Sequence, residues 1–143
     1  MKTILHVVDI AVPRETVFGA LSSTDGLAGW WTRSVSGAAG RGEVIDFIFA
    51  GDFNPDMKVI QFEPPSDLGW RCVGGVKQWA DNTFSFGLED RDGATRLRFQ
   101  QDYTTELSDD DYGSYNFNWG YYLESLRLYC ESGRGNPFEA SGQ

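Results

Sequence analysis

The feature that most limits how this chain can fold is an aromatic stripe near its C-terminal end. On a helix turning about 100° per residue, Tyr112, Tyr115, Trp119, Tyr122, Leu123, Leu126, Tyr129 and Cys130 share an arc of about 120°. Glu124, Arg127 and Glu131 fall outside it. The pattern predicts one long helix from Ser108 to Glu131. Ser108 is placed to cap it, Asp111 completes a weak capping box, and Asp109 and Asp110 add negative charge at the positive end of the dipole. Gly133 suits the left-handed residue beyond the last turn, and Pro137 prevents continuation. A helix with so wide an apolar face needs a broad surface to lie on.

The preceding chain supplies that surface as strands. From Thr3 to Val12, alternation places Ile4, His6, Val8, Ile10 and Val12 on one face. Pro13 opens a short helix carrying Val17, Phe18 and Leu21, and Ser23 or Thr24 caps a second one through Leu27 to Trp31. The adjacent Trp30 and Trp31 are expected to diverge, one into the interior and the other to a rim or a neighbouring element. Ser36 to Gly42 reads as a loop. Five strand-like runs then follow: Glu43–Phe49, Met57–Phe62, Leu68–Val73, Asn82–Glu89 and Thr95–Tyr103. Gly51-Asp52, Pro64-Pro65-Ser66-Asp67, Gly74-Gly75 and Asp90-Arg91-Asp92-Gly93 separate them with turn chemistry. The order β-α-α-β-β-β-β-β-α is that of an α+β domain, an antiparallel sheet with helices on one side, spanning residues 1–143.

Charge and composition narrow the function. A net charge of −9 opposes nucleic-acid or anionic-membrane binding, which need clustered Lys and Arg. No apolar run of about 18 residues occurs, and Met1-Lys2-Thr3 leads directly into a strand pattern. Neither a membrane span nor a signal peptide is expected, and a cytoplasmic location is. Cys72 and Cys130 both fall in apolar elements and read as reduced core thiols.

Motifs for metals and phosphates fail on inspection. Asp52, Asn54, Asp56 and Glu63 have the spacing of a calcium loop, but Met57 stands where glycine is needed, and strands flank it instead of helices. Gly37 to Gly42 leads into a strand instead of the helix N-terminus that a phosphate cradle requires. No metal and no cofactor are therefore expected.

The element order resembles the helix-grip fold of the START-like superfamily, also called SRPBCC. Four stretches carry the likeness: Ile10-Ala11-Val12-Pro13-Arg14-Glu15-Thr16-Val17-Phe18, the pair Trp30-Trp31, Phe62-Glu63-Pro64-Pro65 ahead of Trp70, and the run NWGYYLESLRLYCESGRGNPF ending at Phe138. Together they are similar to the branch containing the C-terminal domain of the heat-shock-protein-90 ATPase activator. The resemblance implies a curved sheet closed by the long helix around an elongated cavity that holds lipids, polyketides, hormones or other apolar molecules in relatives.

Strand parity supplies candidates for that cavity's wall: Phe47, Trp70, Phe84, Phe86, Phe99, Gln101 and Tyr103 from the sheet. Tyr115, Trp119, Tyr122 and Leu123 join them from the helix, with Trp30 and Trp31. A filled aromatic core has the same pattern, so periodicity leaves the two open. His6 is the one candidate for acid–base chemistry. The expected function is binding of a small apolar or amphipathic ligand. The alternatives are a cyclase- or hydrolase-type enzyme in the same cavity and a chaperone-assisting stress-response protein. Phe117, Tyr121 and Leu128 cluster on the helix away from the main stripe and point to a homodimer contact.

Overall fold

The computed structural model describes residues 2–139, and the alternation read in the sequence becomes seven strands and three helices there. The strands are β1 (Thr3–Ile10), β2 (Ser34–Gly37), β3 (Val44–Ile48), β4 (Asp56–Glu63), β5 (Asp67–Gly74), β6 (Thr83–Arg91) and β7 (Ala94–Asp102). The helices are α1 (Arg14–Leu21), α2 (Thr24–Trp30) and α3 (Asp109–Ser132). One curved antiparallel sheet runs in the order β1-β7-β6-β5-β4-β3-β2. Strands β2 to β7 form a meander, and β1 returns beside β7. This is the α+β helix-grip arrangement, with α3 laid across the concave face.

Parity decides what that face buries. Phe86 pairs with Phe99 across β6 and β7, Phe84 with Gln101, and Trp70 on β5 with Phe84. All five are at most 1% exposed. Burying one such aromatic side chain is worth roughly 1.5–3 kcal/mol, so this layer dominates the folding drive.

Helix α3 has the predicted ends. The Ser108 hydroxyl accepts from the Asp111 backbone N–H at 3.1 Å, and Gly133 takes a left-handed φ of 84°. The Asp111 carboxylate, assigned to a capping box, instead accepts from Gln78 Nε2 at 2.8 Å. The helix runs alongside β1 in the same direction. Tyr112 donates to the Thr3 carbonyl near one end, and the Ala11 N–H donates to Glu131 near the other. Among the described residues, no helix is long and apolar enough to cross a membrane.

One local expectation is corrected. Strand β2 stands where the sequence reading began a loop; with one apolar residue, Val35, in four, it has no alternation to detect. Trp30 and Trp31 divide between a neighbouring element and the interior, and both are buried, with rings 17° from parallel and centroids 6.0 Å apart. The reason is that α2 is covered on both sides. Trp30 donates its indole N–H to the Ala20 carbonyl of α1, and Trp31, just past the helix end, enters the space between sheet and α3. Gly29 makes the layer possible, since a Cβ there would strike the ring of Tyr129 on α3.

Candidate functional site

Trp31 is where the aromatic side chains converge. Its ring lies 5.7 Å from Trp70 and 5.1 Å from Trp119, stacked on both, and meets Phe47 and Phe49 edge-on at 4.5 and 5.1 Å. On the Trp70 side the packing is closed. On the other side it stops, leaving a cavity of about 210 Å³ between α3 and the β3–β4 connection.

Each wall comes from a different element. Helix α3 contributes Tyr115, Asn118, Trp119 and Tyr122, one turn apart along its inner edge. The β3–β4 connection contributes Phe49, Ala50 and Phe53; Asn54 shapes it, accepting from Phe49 N–H at 2.9 Å and donating to the Gly51 carbonyl. Trp79 comes from a single 3-10 turn, Lys77–Trp79, that follows β5. Phe138 closes the far end from a C-terminal segment pinned beside β2. Its N–H donates to the Trp31 carbonyl, and its carbonyl accepts from Arg33 N–H.

Hydrogen bonds hold two of the walls rigidly. Trp119 donates its indole N–H to Gln101 Oε1 at 2.8 Å, and Gln101 donates to Asn82 Oδ1 at 3.0 Å. Trp79 donates its indole N–H to the Tyr103 hydroxyl at 3.1 Å. Burial raises the Tyr103 hydroxyl well above the ordinary phenol value, with the Trp79 hydrogen bond acting the other way. At the mouth, Gln78 joins the 3-10 turn to α3. Its amide donates to Asp111, and its carbonyl accepts from the Tyr115 hydroxyl at 2.5 Å. Burial also raises Tyr115 and Tyr122, so both are neutral phenols at neutral pH.

Of the residues predicted from the sequence, Trp31, Tyr115, Trp119 and Tyr122 are brought together around the cavity. Phe47, Trp70, Phe84, Phe86, Phe99 and Leu123 are packed against one another behind it, in the solid part of the core. Gln101 and Tyr103 lie behind the wall and orient it. Trp30 sits in the helical layer. His6 does not reach the cavity; its Nε2 lies 2.9 Å from Asn116 Oδ1 beneath α3. The elongated space implied by the family is thus reduced to one end, because indole and phenyl rings fill the remainder.

Trp79, Phe49, Phe53 and Phe138 were missing from the sequence reading. Trp79, Phe53 and Phe138 lie in turns and tails where no periodicity marks a face, and residue type alone was usable there: a tryptophan in a polar turn is a poor surface residue. Phe49 closes the run Glu43–Phe49 and shares the parity of Phe47, a signal the sequence did carry.

Comparison with known proteins places this geometry. Residues 11–131 match the family described as "Activator of Hsp90 ATPase homolog 1-like protein". The solution structure of the Aha1 dimer from Colwellia psychrerythraea is similar at 34% identity and a TM-score of 0.84, covering 94% of this chain and 100% of that one. At 19% identity, a crystal structure from Staphylococcus saprophyticus (TM-score 0.73, 95% of this chain, 97% of that one) shares the fold. So does CalU16 from Micromonospora echinospora (19%, TM-score 0.74, 99% and 77%). Among curated proteins none matches.

Proposed function

The chain belongs to the family of Activator of Hsp90 ATPase homolog 1-like proteins, and on that premise we propose that it binds a small apolar ligand in the aromatic cavity. The observation that carries this reading is the preformed space of about 210 Å³ walled by Trp31, Phe49, Phe53, Trp79 and Trp119. Sites for drug-sized ligands span about 300–1,000 Å³, whereas a dry apolar cavity of about 150 Å³ holds benzene. The occupant is therefore about one substituted ring in size, much smaller than a lipid or a polyketide.

Size also sets affinity. Burying about 250 Å² of such a ligand is worth about 6 kcal/mol before ordering costs, which places Kd at tens of micromolar or weaker. Such a ligand would not survive purification, so the test is a titration. Ethylbenzene added to the protein should change tryptophan emission saturably below millimolar concentration. A linear, non-saturating response would contradict the reading.

A second reading, chaperone-assisting interaction, is favoured by the family and by likeness to the Aha1 dimer. Phe117 and Tyr121 suit such a role: they are 75% and 51% exposed on α3, next to the cavity-lining Asn118 and Tyr122. We assign them to self-association, with half-buried Leu128 further along the helix. Stimulation of an Hsp90 ATPase by this protein would support the chaperone role, and an unchanged rate would remove it.

A further inference from the structure

The five tryptophans differ in where their indole N–H groups go, and the difference bears on what the cavity holds. Trp30, Trp79 and Trp119 donate to Ala20, Tyr103 and Gln101. Trp70 Nε1 is sealed in the core without an acceptor, among Phe47, Phe84 and Phe86, and does not line the cavity. Trp31 alone combines a place on the cavity wall, 2% exposure and an indole N–H with no acceptor among the described residues. Unlike that of Trp70, its nitrogen is not among the fully enclosed unpaired atoms. An unmet donor at the wall of an apolar space favours any occupant that brings an acceptor to it.

Two further facts restrict that occupant. Among the described residues the cavity lining contains no acidic, basic or histidine side chain, so an ionised ligand would be desolvated there without a counter-charge. The walls are flat rings: Trp79 and Trp119 lie 15° from parallel, and Phe53 stacks on Tyr115 at 26°. Flat walls around a small volume favour a planar guest.

Building on the ligand-binding reading above, we infer that the cavity takes a neutral, planar, single-ring aromatic molecule bearing a hydrogen-bond acceptor, and that Trp31 Nε1 donates to that acceptor. An aryl ketone, aldehyde or ester has this chemistry. Tyr122, whose hydroxyl is also without a partner among the described residues, lines the same cavity, is less buried than Trp31 and can serve a second polar substituent.

The test uses three probes of nearly one shape: acetophenone, isopropylbenzene and benzoate. Their effects are read on the indole N–H resonances of the ¹⁵N-labelled wild-type protein, with Trp31 assigned through Trp31→Phe. Acetophenone should move the Trp31 N–H downfield. Isopropylbenzene should perturb the Trp31, Trp79 and Trp119 resonances by ring currents without a downfield hydrogen-bond shift at the Trp31 N–H, and benzoate should bind at least about tenfold more weakly than acetophenone. Trp31→Phe should weaken acetophenone about 2- to 10-fold more than it weakens isopropylbenzene, the value of one hydrogen bond over the shared loss of wall. If that variant fails to fold, the wild-type resonances, assigned by contacts to neighbouring rings, carry the test. A saturable shift at Trp79 and Trp119 in acetophenone with no downfield shift of the Trp31 N–H relative to isopropylbenzene would overturn this inference and leave the cavity reading standing. Benzoate binding as tightly as acetophenone would overturn the neutral class. No saturable shift with any probe would overturn both the inference and the reading on which it rests.

Discussion

Trp79 and Trp119 face each other as nearly parallel plates, with ring centroids 6.1 Å apart and 15° between planes, although one sits in a three-residue turn and the other in a 24-residue helix. Their alignment is set from behind. Gln101 receives the N–H of Trp119, and Tyr103, two residues along the chain, receives that of Trp79. The end of β7 thus orients two walls of a cavity that neither residue lines.

Gln101→Leu removes the acceptor of Trp119 and the donor to Asn82 together, leaving buried polar groups unmet. It should lower stability by about 1–3 kcal/mol in urea denaturation and broaden the Trp119 indole resonance. A loss below about 0.5 kcal/mol would mean that the pair is not a buried strut.

The contrast between Gln101 and Trp79 shows what the sequence discloses. Gln101 was placed inward by the alternation Leu97, Phe99, Gln101, Tyr103, and it pairs across the sheet with Phe84 as that parity requires. The stripe on α3 was legible for the same reason, because a regular element repeats its face. Trp79 lies in a turn, Phe53 in a hairpin connection and Phe138 in a tail, and irregular backbone has no period to read. Whether a ring faces a void or another ring depends on gaps smaller than one side chain. Trp70 and Trp31 share residue type and burial, yet only Trp31 borders the cavity.

Ala50 lies at the mouth, exposed on the β3–β4 connection. Ala50→Trp should fill the space without disturbing the core, keeping stability within about 0.5 kcal/mol of wild type. It should also abolish the saturable emission change with ethylbenzene. Undiminished binding by this variant would place the ligand elsewhere.

Alkaline pH should loosen the fold. Burial pushes the Cys130 thiol from its ordinary 9.0 to about 12, with Glu131 adding to the rise, and burial raises Tyr103 above its ordinary 10.0. Folding thus favours the protonated form of each. Their contribution is whole below the unfolded values and is lost as pH rises through the folded ones, for Cys130 between 9.0 and about 12. Urea midpoints should fall across this window, and Cys130→Ala should fall less steeply than wild type. Equal slopes would show that the thiol is not the group responsible.

Phe117→Asp combined with Tyr121→Ser places polar groups on the exposed apolar part of α3 while leaving the buried stripe untouched. In light scattering the wild type should have the mass of a dimer and the double variant that of a monomer, at unchanged thermal stability. A wild-type monomer, or a variant that remains dimeric, would move self-association away from this surface or remove it.

The most direct test of the account is where a bound ring sits. Nuclear Overhauser contacts measured on the protein saturated with ethylbenzene should join the ligand to ring protons of Phe49, Trp79 and Trp119. Contacts confined to Phe117 and Tyr121 on the outer face of α3, or none to any cavity side chain, would contradict the claim that this protein carries its ligand between helix and sheet.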